Sequence, residues 1–316
     1  MRFIKRASVG EDGAGPSDDG KDELLMEEIG FEVTNGEKVL FPRDGYSKED
    51  LVRYYSKIAP VMLPHLRGRP VSMVRYPDGI DGKSFFQKDA SSFFPAWLPR
   101  VVVAKKGGTV EHVLCEKVAD LAYLANLACI TPHIWLSRVD LPELPDRMII
   151  DLDPSGPDFM QVIDAALLLR EELERVGLAP FVMTTGSRGM HVVAPLDRSS
   201  SFEEVRAFAR RLTARIMKGR EDELTLETSK DQRRGRLLLD TFRNSYGQTG
   251  VAPYAVRAKD GAPVATPLSW REVEKGEVGP TTFNIRNIFN RLKESGDPWR
   301  DIDTRAAPVP GDIDSR

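Results

Sequence analysis

The chain has 316 residues, 41% of them hydrophobic and 29% charged, with a formal net charge of −3. That is enough apolar content for one large α/β unit or two packed lobes, while no apolar run approaches the ~20 residues that span a bilayer. The opening MRFIKRASVGEDG lacks a secretory apolar stretch, and Cys115 and Cys129 form neither a CxxC pair nor, with four histidines in all, a zinc cluster, so a cytoplasmic protein with both thiols in its core is expected.

Residues 1–28 read as a disordered acidic leader: positions 11–28 carry a net −7, which leaves +4 for the remainder. An ordered domain is expected over 29–303, followed by a Pro-rich tail, 304–316, that frays. In FEVTNGEKVLFP the apolar residues alternate around Asn35-Gly36, a hairpin signal that ligand-cupping loops share. Ser47 with Asp50 three residues on predicts a capped helix over 48–59, and VSMVRYP predicts a strand. Adjacent residues cannot share one strand face, so at least one ring each of Phe85-Phe86 and Phe93-Phe94 should be exposed. Helices are predicted over 117–127, from the N-cap Asp158 to Gly177, and from Ser201, boxed with Glu204, to Lys218. FVMTTGSRGMHVVAP reads as strand, turn, strand, and RLLLD as a buried strand that ends on a carboxylate. Between Arg206 and Arg236 lie ten Lys or Arg, which alone would be a solvated helix face and loop. Short turns join several strands without a βαβ rhythm, which favours an α+β domain, and neither GxGxxG nor GxxxxGK[ST] occurs.

In RMIIDLDP, Asp151 and Asp153 stand at i and i+2 of an apolar strand, so both project to one face and repel unless something positive lies between them. Asp240 would join them if its strand is a neighbour. Three carboxylates are hard oxygen ligands suited to Mg²⁺ or Mn²⁺, the set that two-metal phosphoryl transfer requires. The loop GSRGMH offers what a triphosphate needs: Gly186 and Gly189 for approach of backbone amides, the Ser187 hydroxyl, the Arg188 fork, and His191 on the strand that follows. Alone, the DxD fits a solvated strand end and the loop an ordinary hairpin. DxD, then Ser-Arg-Gly-x-His, then Asp240 with Arg243 and Asn244 is far more specific as a series.

With these motifs in that order, and with EKVLFPRDGYSKEDLVRYYSKIAPVMLPHLRGRP, RYPDGIDGKSFFQK and GQTGVAPYAVRA around them, the chain resembles over 33–301 the polymerase domain of bacterial end-joining ligase D, within the archaeo-eukaryotic primase superfamily. The resemblance implies a primase-like α+β fold in which mixed or antiparallel sheets form a central cleft flanked by helices. It implies template-directed nucleotidyl transfer from NTP or dNTP, ribonucleotides preferred, at gaps and broken ends of DNA that carry a 5′-phosphate. It places two Mn²⁺ or Mg²⁺ ions on Asp151, Asp153 and Asp240, and the incoming triphosphate on Ser187, Arg188 and His191 with His133, Arg233, Gln248 and Arg257 around it. It puts the 5′-phosphate on Asn35, Lys38 and Lys48 and a template base on Phe85 and Phe86. A separate ligase, the end-binding protein Ku and a nucleoid location follow as expected partners and place, since no Lys-x-Asp-Gly ligase motif occurs in a chain that is either stand-alone or an excised domain. Val74 stands where some relatives have Lys, which puts one DNA contact in doubt. The competing readings are a catalytically silent end-binding module, a de novo primase, and a DxD glycosyltransferase that would leave Asp240 and the paired phenylalanines without a use.

Overall fold

The computed structural model describes residues 29–311; the acidic leader and residues 312–316 lie outside the described residues. In chain order the strands and helices are β1 (Val39–Phe41), β2 (Tyr46–Ser47), α1 (Lys48–Leu66), β3 (Val71–Arg75), β4 (Phe85–Gln87), β5 (Arg100–Lys105), β6 (Gly108–Val113), α2 (Val118–Asn126), β7 (Cys129–Trp135), β8 (Arg147–Asp153), α3 (Met160–Arg175), β9 (Phe181–Thr184), β10 (Met190–Pro195), α4 (Phe202–Met217), β11 (Leu224–Thr225), α5 (Lys230–Arg233), β12 (Leu237–Asp240), β13 (Thr249–Val251), β14 (Thr266–Leu268), α6 (Trp270–Lys275) and α7 (Ile288–Ser295), with 3₁₀ turns at Phe242–Asn244 and Ile302–Arg305. One sheet runs β13-β7-β3-β6-β5 with β4 added on β3, and a second runs β11-β12-β8-β10-β9-β14. Among the described strands only β11 and β12 pair in parallel, so the expected α+β class with antiparallel sheets is what is found.

Strand alternation divides the core. Met148, Ile150 and Leu152 of β8 pack with α3 and α4 in one cluster, whereas Ile149, on the opposite face, joins a second cluster shared with the first sheet and with α1 and α2. The two sheets meet closely at Gly250 of β13, where a Cβ would come within 2.9 Å of Ile149 Cδ1. Among the described residues no helix is long and apolar enough to cross a membrane.

Three local expectations need correction. The helix expected over 48–59 runs on to Leu66 through Pro60 and Pro64. Each proline removes one backbone donor, but Met62, Leu63 and Leu66 bury themselves at helical spacing, and that packing outweighs the loss. The turn at Asn35-Gly36 is no hairpin. Its Gly36 carbonyl is taken by the start of α1, Glu49 N donating to it at 2.9 Å, while Asn35 O accepts from Lys38 N at 3.1 Å, and the hairpin forms one turn later between β1 and β2. The stretch from Thr304 does not fray at once: Ala307 bridges to Leu196, and Val309 packs against the α3 side of the core.

The capping boxes at Ser47/Asp50 and Ser201/Glu204 form as expected, while Asp158 caps from one position further out, its Oδ1 accepting from Met160 N at 3.0 Å. Cys115 and Cys129 are free and buried, and burial pushes the Cys129 thiol up to about 12.

A buried ion cluster joins the sheets. Arg69, 1% exposed and just ahead of β3, donates two hydrogen bonds of 2.6 and 2.7 Å to Asp146, just ahead of β8. Arg138 adds a 2.8 Å bond to the same carboxylate, and Asp303 ties Arg138 and Arg147 to the C-terminal turn. Burial alone would raise the Asp146 carboxyl, but the arginines outweigh it and hold it well below the usual carboxylate range. The linked stability is therefore complete above the ordinary carboxylate range and lost as pH falls towards the depressed value. Asp146→Ala leaves Arg69 buried without its partner and should cost about 3–5 kcal/mol in urea denaturation at neutral pH, with Asp146→Asn costing less.

Candidate active site

β12 pairs with β8 so that Asp240 stands opposite Asp151, and β8 pairs with β10 so that Asp151 stands opposite His191. One row across three strands thus carries two carboxylates and an imidazole, and Asp153 follows two residues along on the same face. The flanking residues Leu152, Leu239 and Met190 point the other way, each 0–1% exposed in the helix-side core. The neighbour relation on which Asp240 depended is therefore present.

Positive charge surrounds the row. Arg243, from the 3₁₀ turn after β12, lies 3.1 Å from Asp151 and 3.8 Å from Asp240. Arg188 and Arg233 take opposite oxygens of Asp153 at 2.9 and 2.8 Å. Burial works to raise the Asp151 carboxyl, but His191, 3.6 Å away, and Arg243 outweigh it and hold it down at about 2. For His133 on β7, burial and then the positive Arg257 and Arg243 push the imidazole down to about 3, so it is neutral. The Nδ1 atoms of His133 and His191 are buried with no hydrogen-bond partner.

Asp151, Asp153, Asp240, Ser187, Arg188, His191, His133, Arg233 and Arg257 all line one cavity of about 300 Å³. Gln248 does not; it lines the adjoining groove with Phe86, Lys88 and Tyr246, because it precedes the point where β13 joins β7. Thr185 and Arg243 also line the cavity. No sequence signal marks Thr185; Arg243, three residues past a strand-end Asp, could have been assigned from the one-turn return that brings it back over Asp240.

As they stand, no three His, Cys, Asp or Glu side chains among the described residues are gathered to hold a metal ion. The donor set nevertheless fits a hard divalent cation, since Asp151, Asp153 and Asp240 share one cavity, offer only carboxylate oxygens, and have their charge balanced by arginines rather than by fixed backbone donors alone.

The glycines of GSRGMH are required by the neighbouring backbone. Gly189 passes the Leu152 carbonyl of β8 so closely that a Cβ would run into it, and Gly186, at φ +63°, would meet the Val264–Ala265 backbone within 2.9 Å. The loop is closed by Thr185 N and Oγ1 donating to Gly189 O at 3.0 and 3.1 Å, and Arg257 donates to Thr185 O at 2.9 Å.

The second group of residues also assembles. Asn35, at φ 48°, turns the chain so that Lys38 N reaches its carbonyl, and Lys38 and Lys48 stand near each other. Burial, then the Lys38 charge, lowers the Lys48 ammonium from its ordinary value. Lys38 itself pairs with Asp78 at 2.8 Å. Phe85 and Phe86 are 44% and 48% exposed; Arg75 lies over the first ring at 5.0 Å, and the second meets His133 edge-on at 5.8 Å. In the other pair Phe93 is exposed and Phe94 buried. Val74, opposite Phe86, is half-buried and supplies no charge.

The sequence family described as LigD, primase-polymerase domain, matches residues 47–299. The multifunctional non-homologous end joining DNA repair protein LigD of Mycobacterium tuberculosis is 31% identical over 283 residues, covering 87% of this chain and 37% of that protein. The LigD of Pseudomonas aeruginosa is 31% identical over 304 residues, 95% of this chain and 35% of that one, and the bifunctional LigD of Bacillus subtilis 30% identical over 274 residues, 86% and 44%. The chain thus spans less than half the length of these relatives. The solved structure of the polymerase domain from Mycobacterium tuberculosis ligase D in complex with DNA superposes with a TM-score of 0.82 at 31% identity, covering 87% of this chain and 99% of that one.

Gly189→Ala should part β10 from β8 and lower the melting temperature by several degrees. Gly156→Ala, where nothing lies within 4 Å of the added carbon, should leave the melting temperature unchanged.

Proposed function

Since the chain belongs to the LigD primase-polymerase family, with the fold of the archaeo-eukaryotic primases, we propose that it is a template-directed nucleotidyltransferase that fills gaps and extends broken DNA ends in non-homologous end joining. The observation that carries the reading is the row Asp240, Asp151, His191, with Asp153 beside it, in a cavity ringed by Arg188, Arg233, Arg243 and Arg257.

Asp151, Asp153 and Asp240 would hold two Mn²⁺ or Mg²⁺ ions, which when bound lower the pKa of an attacking 3′-hydroxyl and balance charge on a leaving pyrophosphate. The chain's own residues do the rest. The Arg188 and Arg233 forks orient the triphosphate, the Ser187 hydroxyl and His191 donate to it, and Arg257 braces the loop through Thr185. Neutral His133 offers a hydrogen bond without adding charge where the nucleotide sits. Ribonucleotides are the preferred substrates on this reading. Asn35, Lys38 and Lys48 grip the downstream 5′-phosphate: two repelling ammonium groups gain a shared anion. The exposed rings of Phe85 and Phe86 stack on a template base, with Gln248 at the edge of that groove. A ligase seals the product, Ku delivers the ends, and the work takes place at the nucleoid.

Primer extension on a gapped duplex should require Mn²⁺ or Mg²⁺, stop with EDTA, and rise when the downstream strand carries a 5′-phosphate. Asp153→Asn should lower extension by about a hundredfold or more while the affinity for DNA in a fluorescence titration holds. Extension at the unsubstituted rate would refute the assignment and leave an end-binding module. Lys38→Ala with Lys48→Ala should erase the preference for the phosphorylated gap and reduce the salt slope of binding by about one unit for each phosphate no longer neutralised. An unchanged preference would place that pocket elsewhere.

A further inference from the structure

The turn that closes the catalytic cavity has a second side. Phe242–Asn244 sends Arg243 to the carboxylates, and beyond it the chain borders a groove of about 480 Å³ against α4, lined by Arg206, Arg210, Ser245 and Tyr246 among others. Phe242 is 46% exposed only two residues after Asp240, and the Arg206 guanidinium lies 5.0 Å above its ring. Arg210 follows Arg206 by one helical turn on the same face. Among the described residues neither arginine has a carboxylate partner, and Arg206 Nε and Ser245 Oγ are buried with no hydrogen-bond partner.

An exposed ring capped by one arginine, with a second arginine one turn along, is what a stacked base and successive phosphates of a single strand require. The groove also has a definite place relative to the template side. Tyr246 lines both this groove and the one that holds Phe86, its ring packed edge-on against Trp135 at 5.1 Å and Phe202 at 5.9 Å. It is a partition between the two grooves: Asn244, which lines the first, follows Arg243 of the catalytic cavity, and Phe86, which lines the second, meets His133 of that cavity.

We propose that the groove on α4 holds the strand being extended: its last nucleotides lie over Phe242, their phosphates on Arg206 and Arg210, with the 3′-end at Asp240, while the template runs on the Phe86 side of Tyr246. This rests on the polymerase reading above.

The test uses the full chain and a gapped duplex with 5-iodouracil at the second or third nucleotide from the primer 3′-end, or at the facing template position. Irradiation followed by peptide mass spectrometry should attach the primer to the segment that contains Phe242 and Tyr246; attachment from the template probe alone would overturn the assignment. Independently, Arg206→Gln with Arg210→Gln, and separately Phe242→Ala, should raise the KM for primer-template about tenfold with the nucleotide KM unchanged. Arg271→Gln, on exposed α6, should leave both constants unchanged. If the unsubstituted chain extends primers but the groove variants keep its KM, the groove assignment fails and the polymerase reading stands; if the unsubstituted chain extends nothing, both fall.

Discussion

The site depends on register. Asp240, Asp151 and His191 face one another only because β12, β8 and β10 pair as they do, and a slip of one residue would turn the carboxylates into the helix-side core and Leu152 and Leu239 into the cavity. The apolar partners forbid that slip. Each polar residue of the row is followed or preceded by a side chain at most 1% exposed, so the energy that fixes the catalytic row comes from the opposite face of the same strands. Two carboxylates held on neighbouring strands repel by a few kcal/mol at a partly buried position, and the surrounding arginines exist to offset that.

The same strands are anchored at their far ends. Arg69 precedes β3 and Asp146 precedes β8, and their buried bidentate pair ties the start of a strand in one sheet to the start of a strand in the other. β8 then leads directly to Asp151 and Asp153, while β3 leads to Arg75 and, across the ladder, to Phe85. A clamp at one end therefore sets the separation of the sheets at the other. The bare backbone of Gly250 lets them close, bringing His133 from the first sheet into the cavity with His191 from the second.

What could be read from the sequence was whatever depends on strand alternation and local capping: Asp151 with Asp153, Asp240 at an apolar strand end, the boxes at Ser47 and Ser201, and at least one exposed phenylalanine in each pair. What could not be read depends on distant packing. Nothing local shows that Met62 and Leu66 would carry α1 past two prolines. Nor does the sequence show that Gly186 and Gly189 are needed to let the backbones of β8 and of the segment before β14 pass close by. The Asn35-Gly36 turn has hairpin chemistry, yet its Gly36 carbonyl is claimed by a helix start that only the fold brings there. Gln248 stands outside the cavity for a related reason: one residue before a strand begins, alternation no longer says which way a side chain points.

The pairing of charge in the cavity bears directly on how a substrate could enter it. Asp153 is held by Arg188 and Arg233, and Asp151 and Asp240 are approached by Arg243, so every carboxylate has a guanidinium and none is left bare. Were a triphosphate to enter without cations, the arginines could reach it only by abandoning partly buried carboxylates, at a cost that a buried unpaired charge makes severe. Were cations to enter alone, the displaced arginines would be the unpaired groups. On the proposed reading, both enter together and partners are exchanged: carboxylates turn to the cations and guanidinium groups to the phosphates, with no charge uncompensated at the end. Binding of nucleotide and metal should then be mutually dependent, a coupling that arises from charge balance among the three carboxylates and the three arginines paired with them and needs no movement of the strands that carry them.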